Sequence, residues 1–331
     1  MVSEQRAVLR NFKKYAEQKK EESAMAVTRL SYMSIRALDL TASEKHYTDV
    51  VGLRVTGRRS GQVYLQAHES QDHHCIILNA SDRAGLDHAG FKVSDINDLM
   101  EAEIAASDWG LATRRVASGD ILGQGDGLMI TLPSGHIFNL FYHSEKIGYS
   151  YGMKDPDIIL DHVDGISPVT HLDHALLAGN DCDKSVKFLM EALDFNLTET
   201  ILGPDGSSFA FFLTTSSTIH NLAFAPGPPN SLHHIAFYVN DRADVIRRVD
   251  MLKRRKITTL DYGISRHGIG GVTTTYFFDP SGNRNEFQCG IYEAPTIRGN
   301  APPIVWAGEH IPRGAFYYER AVPANFFEVV T

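Results

Sequence analysis

LDHAGFKVSD at 86–95 and LHHIAFYVND at 232–241 are one pattern written twice. Each is a short apolar run ending on a polar pair, which reads as a strand handing over to a helix. The repeat extends outward in the same order in both halves. LSYMSIRALD (30–39) lines up with HLDHALLAGN (171–180), and LPSGHIFNLF (132–141) lines up with DPSGNRNEFQ (279–288). An internal repeat decides more about architecture than local propensity does, because equivalent residues then occupy equivalent points on equivalent sheets.

Between the repeated strands the apolar period changes from two to that of a helix. It does so at Ile96, Leu99, Met100 and Ile104, at Val186, Leu189, Met190 and Leu193, and at Val245, Ile246, Val249 and Leu252. Thr41-Ala42-Ser43-Glu44 reads as a capping box, and Gly52 reads as the stop of that helix. The count is four units of strand, helix and several strands, two on each side of KIGYSYGMKDPDIILDHVDG. The expected class is α+β in two domains. Boundaries fall at 27–146 and 170–293, joined by a linker at 147–169, preceded by a charged helical extension at 1–26 and followed by a tail at 294–331. In the extension Leu9, Phe12 and Ala16 share a helical face.

Bulk properties exclude several function classes. The 331 residues are 43% hydrophobic and carry 32 basic and 40 acidic side chains, a net charge of −8. There is no basic, aromatic-rich run of the kind that binds nucleic acid or an anionic membrane. A small-molecule partner is expected. Cys75, Cys182 and Cys289 are odd in number and far apart, which suits a reducing cytoplasm rather than a disulfide framework or a zinc site. No apolar run approaches the ~20 residues that span a bilayer.

Candidate chemistry lies in YFFDPSGNRNEF, 276–287. Asp279-Pro280-Ser281-Gly282 is turn chemistry, so the flanks should form a hairpin with Glu286 on its second strand. Taken alone, Glu286 reads as a solvated outer-face glutamate. The repeat changes that reading. It sets Ser34 against His174, His88 against His234 and Asn139 against Glu286, with spacings of 54 and 51 residues in the first copy and 60 and 52 in the second. Only the second copy has a metal-binding set. Two imidazoles and one carboxylate form the facial triad of non-haem Fe(II), which leaves positions open for substrate and oxygen. Mn(II) accepts the same ligands. His88, without such partners, should be structural.

DHALLAG, LHHIAF, RHGIGGVTTTYFFDPSGNRNE and RGAFYYER together resemble the landmarks of the type I extradiol ring-cleavage dioxygenases, in the vicinal oxygen chelate superfamily. The resemblance runs from about Val27 to Thr331. It implies paired βαβββ modules curling each sheet around a hollow, with metal only in the C-terminal domain. It places iron on His174, His234 and Glu286, an acid–base imidazole at His220, and pocket groups at His267 and Tyr276. Phe212, Gly270 and Ala315 fall at substrate-contacting positions. The implied reaction is cleavage of a catechol by O2, next to its diol, to a 2-hydroxymuconic semialdehyde, with His220 titrating near neutrality as proton donor and Tyr276 bonding the bound oxygen. A homotetramer is also implied. Ser265 and Thr275 depart from the usual pattern, which bears on substrate fit. Gly270 and Ala315 are small where relatives carry larger residues, so alkyl-, chloro-substituted and bicyclic catechols are expected to fit.

The same modules also build metal-free drug binders and Lewis-acid isomerases or lyases. A binder has no use for the complete triad. The Lewis-acid enzymes more often carry extra carboxylates and a symmetric cleft, which Ser34 and Asn139 disfavour here.

Overall fold

The computed structural model describes residues 27–147, 168–203, 205–260, 263–290, 302–328 and 331. The expected N-terminal helix, most of the linker and the first part of the tail lie outside these residues.

Each of the four units is a βαβββ module. The first comprises β1 (Val27–Ala37), α1 (Leu40–His46), β2 (Arg54–Arg59), β3 (Gln62–Gln66) and β4 (Ile76–Ala80). The second comprises β5 (Gly85–Val93), α2 (Asp98–Asp108), β6 (Thr113–Val116), β7 (Gly127–Thr131) and β8 (Ile137–Phe141). In the second half come β9 (His171–Gly179), α3 (Cys182–Ala192), β10 (Asn196–Leu202), β11 (Ser208–Thr214) and β12 (Leu222–Pro226). The fourth module holds β13 (Ser231–Tyr238), α4 (Arg242–Arg254), β14 (Ser265–Arg266), β15 (Thr273–Phe278) and β16 (Arg284–Cys289). The tail adds β17 (Ile304–Trp306), α5 (Ile311–Ala315) and α6 (Ala324–Glu328). No helix among the described residues is long and apolar enough to cross a membrane.

The sheets repeat one topology, β2-β3-β4-β1-β5-β8-β7-β6 and β14-β15-β16-β13-β9-β12-β11-β10-β17. In each, the leading strands of the two modules pair antiparallel at the centre, and each leading strand pairs parallel with the last strand of its own module. A large apolar core holds the two sheets and the helices together across the halves, with Phe91 against Phe195 and Trp109 against Phe188.

Register corrects one equivalence. Tyr32 pairs with Gly90 on β5, and His174 pairs with Ala236 on β13, whereas Ser34 pairs with His88 and Leu176 with His234. The counterpart of His174 is therefore Tyr32, two residues before Ser34. An offset of two keeps a side chain on the same face, so the sequence pattern found the face and missed the residue.

Two local readings also change. The cap of α1 is Asp39, whose Oδ1 accepts from the Ala42 amide at 2.9 Å, not Thr41; Gly52, at φ 89°, does end the segment. In α2 the buried face is Asp98, Ala102 and Ala106, while Ile96, Met100 and Ile104 are exposed.

The Asp279–Gly282 turn forms the expected β15–β16 hairpin but is no surface loop. Leu38 N donates to Ser281 Oγ at 2.9 Å, Gly85 N to Asn283 Oδ1 at 2.9 Å, and the Tyr47 hydroxyl to Asn285 Oδ1 at 3.2 Å. The first half thus grips the strand that carries Glu286.

Candidate metal centre and active site

β9, β13 and β16 are adjacent strands at the centre of the second sheet, and each points one polar side chain into its hollow. His174, His234 and Glu286 are all buried there. His174 Nε2 lies 3.1 Å from His234 Nε2, and Glu286 Oε2 lies 3.5 Å and 3.2 Å from those nitrogens. Donors about 2.1 Å from one ion stand roughly 3.0–3.4 Å apart, so the three atoms fit the face of one metal site. Glu286 Oε2 is buried without a hydrogen bond, while Oε1 accepts from Thr274 Oγ1. A buried carboxylate oxygen kept free of donors is what a cation requires. Glu286 therefore does not face solvent, as its local sequence alone suggests. The donor set suits Fe(II), with Mn(II) as the alternative.

The charges are consistent with a waiting cation. Burial alone would raise the Glu286 carboxyl, but His174, His234 and His267 hold it well below the usual range. Burial would depress His174, yet Asp173 and Glu286 outweigh it and raise that imidazole to about 9. His234 is instead lowered to about 4 by burial, against the pull of Glu286. A proton held on His174 must leave when metal binds.

The groups behind the ligands carry no distinctive sequence spacing. His174 Nδ1 donates to Asp173 Oδ2 at 2.7 Å, and Gln288 Nε2 donates to the same oxygen. His234 Nδ1 lies 2.7 Å from His233 Nδ1. Thr274, Asp173, Gln288 and His233 were not singled out by the sequence pattern; the only available signal was that Asp173 and His233 each directly precede a ligand.

The remaining expected residues except Gly270 lie around one apolar cavity that ends on the triad, walled also by Ile201, Ala223 and Phe326. His220 lines it, its ring 4.4 Å from that of His174 and 5.3 Å from that of Phe212, and its Nδ1 is buried without a hydrogen bond. Burial, then the His174 charge, lowers His220 to about 3, so the resting imidazole is neutral rather than titrating near pH 7. His267 Nδ1 donates to the Ala315 carbonyl, which leaves Nε2 to accept from the Tyr276 hydroxyl at 2.8 Å. Burial, then Glu286, keeps Tyr276 protonated. Phe212 and Ala315 line the cavity. Gly270 is not among its lining residues. It sits at φ +64° with His220 Cε1 3.3 Å from where a Cβ would be, and its amide donates to Glu199 Oε1 at 2.8 Å. Its lack of a side chain serves the left-handed turn and the close approach to His220. Ser265 Oγ donates to Glu319 at 2.6 Å, away from the triad.

Residues 171–287 match the Glyoxalase/Bleomycin resistance protein/Dioxygenase superfamily, and 86–146 match the Catechol 2,3-dioxygenase-like N-terminal domain. A metapyrocatechase of Pseudomonas sp. (strain CF600) is 32% identical over 309 residues, covering 92% of this chain and 99% of that protein. The chain belongs to the extradiol dioxygenases of the vicinal oxygen chelate superfamily. The 2,3-dioxygenase LapB of Pseudomonas sp. KL28 superposes with a TM-score of 0.80 at 33% identity, covering 87% of this chain and all of that one. A manganese-dependent 2,3-dihydroxybiphenyl 1,2-dioxygenase of Geobacillus genomosp. 3 is 25% identical over 298 residues, 88% of this chain and 94% of that protein. As a member of this family the chain is an oxidoreductase, a meta ring-cleaving dioxygenase acting on catechols.

Proposed function

We propose that this extradiol dioxygenase is an Fe(II)-dependent catechol 2,3-dioxygenase of aromatic degradation that accepts ring-substituted catechols. The observation that carries the reading is the meeting of the triad face with an apolar cavity also walled by His220, His267 and Tyr276. Bound metal would supply Lewis acidity, lowering the pKa of a coordinated hydroxyl and bringing diol and O2 to one centre.

The chain's own groups do the rest. Ile201, Phe212 and Phe326 enclose the ring and exclude water. Tyr276, whose hydroxyl has His267 as its present acceptor, is placed to donate to a deprotonated substrate oxygen. His220, neutral and with Nδ1 free of hydrogen bonds, can take a proton from the incoming diol and give it back later in the cycle. Negative charge developing beside a buried imidazole raises its proton affinity at the moment of need. Ala223 and Ala315 leave room beside the ring for a substituent. The homotetramer, the cytoplasmic location and the two domain boundaries implied by the sequence belong to the same proposal.

Oxygen uptake by anaerobically Fe(II)-loaded protein, across catechol, 3- and 4-methylcatechol, 4-chlorocatechol and 2,3-dihydroxybiphenyl, tests it. A yellow ring-cleaved product with methylcatechol rates at or above that of catechol is expected. A steep fall for both methylcatechols removes the substituted-substrate reading. Higher activity after Mn(II) loading reassigns the metal.

A further inference from the structure

The two histidine ligands are braced in different ways. His174 Nδ1 meets a carboxylate on its own strand. His234 Nδ1 meets a second imidazole, and beyond that imidazole lies the tail. His233 Nε2 is 2.8 Å from the Phe326 carbonyl oxygen in α6, and Arg284 Nη1 reaches the same oxygen at 2.8 Å while standing 2.9 Å from His233 Nε2. Arg284 Nη2 also donates to the Asn325 carbonyl at 3.2 Å. The Phe326 ring packs on His233 and Tyr276 and lines the substrate cavity. Thr331 forms two backbone hydrogen bonds with Leu232, directly before His233.

A neutral imidazole has one donor nitrogen and one acceptor nitrogen. If Nε2 of His234 faces a metal, its proton is on Nδ1, so His233 Nδ1 must accept and His233 Nε2 must donate. The carbonyl in front of that Nε2 is Phe326 O, in the seated tail. If His234 Nε2 carries the proton, the polarity reverses. His233 Nδ1 then donates, its bare Nε2 faces the Phe326 carbonyl lone pairs, and Arg284 Nη1 is the available donor to it. The chain of bonds thus has two arrangements: Arg284 donates to the tail carbonyl in both, and the metal-bound one adds His233 Nε2 as a second donor to it.

We propose that His233 is a positioning residue that couples occupancy of the metal site to seating of α6 over the substrate cavity. The inference rests on the metal reading of His174, His234 and Glu286. Coupling of this kind is reciprocal: metal seats the tail, and the seated tail tightens metal binding.

Apo protein, prepared with a chelator, is titrated anaerobically with Fe(II) against a competing chelator. Hydrogen exchange of peptides covering 324–331 is followed with and without metal. The wild type is expected to take up metal and to slow exchange in the tail as it does so. His233→Phe removes acceptor and donor together, and should weaken metal binding about 10–100-fold, the usual effect of losing a ligand's outer partner, while the tail stops responding. His233→Asn sets its Oδ1 near the place of Nδ1, still accepting from His234, but cannot reach Phe326. It should lose the tail response and, with it, only the share of affinity that the seated tail supplies, so its metal binding falls between that of the wild type and that of the Phe variant. Wild-type affinity in the Phe variant, a wild-type tail indifferent to metal, or an Asn variant whose tail still responds would each overturn the proposal, and the last holds even if the Phe variant fails to fold. Metal uptake by Glu286→Ala equal to wild type would instead sink the metal reading itself.

Discussion

The two halves fill the same hollow with opposite chemistry. Register sets Tyr32 at the place of His174, Asn139 at that of Glu286, Ile77 at that of Ala223 and Phe141 at that of Gln288, while His88 matches His234. In the first half the Tyr32 hydroxyl lies 3.0 Å from His88 Nε2 and accepts from Asn139 Nδ2 at 2.7 Å. A phenol oxygen therefore occupies the centre where the second half gathers two nitrogens and a carboxylate. Tyr64, Phe141 and Ile121 pack around it. One topology can be a plug or a reaction chamber. The difference lies in the donor set, a phenol and a neutral amide in the first half against an imidazole and a carboxylate at the same positions in the second.

The strongest way to break the comparison is at its charged member. Glu286→Ala should lose most bound metal and all ring cleavage, because a dication would then face two neutral imidazoles. His88→Ala should retain metal. Elemental analysis of the two purified variants decides it, and loss of metal from the His88 variant would put the site in the wrong half.

His220 has a counterpart in His74, since the residues after them, Asn221 and Cys75, bond equivalently to Ala175 and Met33. Only His220 opens on a cavity with a metal face. His220→Asn should therefore keep its metal and lose roughly 10²–10⁴-fold in kcat, about 2.7–5.4 kcal/mol of barrier. Unchanged turnover at full metal content would return His220 to the role His74 plays.

A smaller effect is expected at Gly90, the cross-strand partner of Tyr32. A Cβ there would lie 2.0 Å from the Tyr32 ring, whereas the second half already has Ala236 opposite the shorter His174. Gly90→Ala should cost about 1–3 kcal/mol by overpacking, seen as a lower denaturation midpoint with metal stoichiometry unchanged.

The gentlest test concerns the buried neutral imidazoles of the first half. Burial lowers His46 and His136 to about 4 and His74 to about 3. The unfolded chain takes up protons near pH 6.5 while the folded one does not, so stability is full above pH 6.5 and falls as pH drops towards 4. Each contributes a loss of about 1 kcal/mol at pH 5.5 relative to neutral pH. His174, raised to about 9 in the apoprotein, acts in the opposite direction. The measurement is therefore the difference between wild type and His46→Gln, His74→Gln or His136→Gln in the shift of melting midpoint from pH 7.5 to 5.5. A shift as large in each variant as in the wild type would mean these rings are protonated in the fold.

Much of this was legible because it is periodic. Alternation, turn chemistry and repetition mark four modules, and a triad that falls on repeated strands is visible as types at positions. What escaped depends on departures from period. The pairing register that puts Tyr32 rather than Ser34 in the place of His174 leaves no mark in composition, and the α1 cap is Asp39, whose side chain accepts from the Ala42 amide. The small size of Gly270 was visible, but its reason, a positive φ against His220, is a backbone fact. Asp173, Gln288, Thr274 and His233 act through single hydrogen bonds across strands, and no spacing rule announces such a bond.

The grip of the first half on the Asp279–Gly282 turn has a consequence for the order of events in the cell. Arg36, Leu38, Tyr47 and Gly85 leave the ribosome some two hundred residues before the turn they hold. Until then their docking edge has no occupant, and contacts so distant in sequence form late. Glu286 is also the last ligand to be translated. An ion captured by His174 and His234 on a nascent chain would lack the carboxylate of the triad, so metal loading becomes a step of maturation that waits for the strand carrying Glu286, and chains released before it should carry no iron.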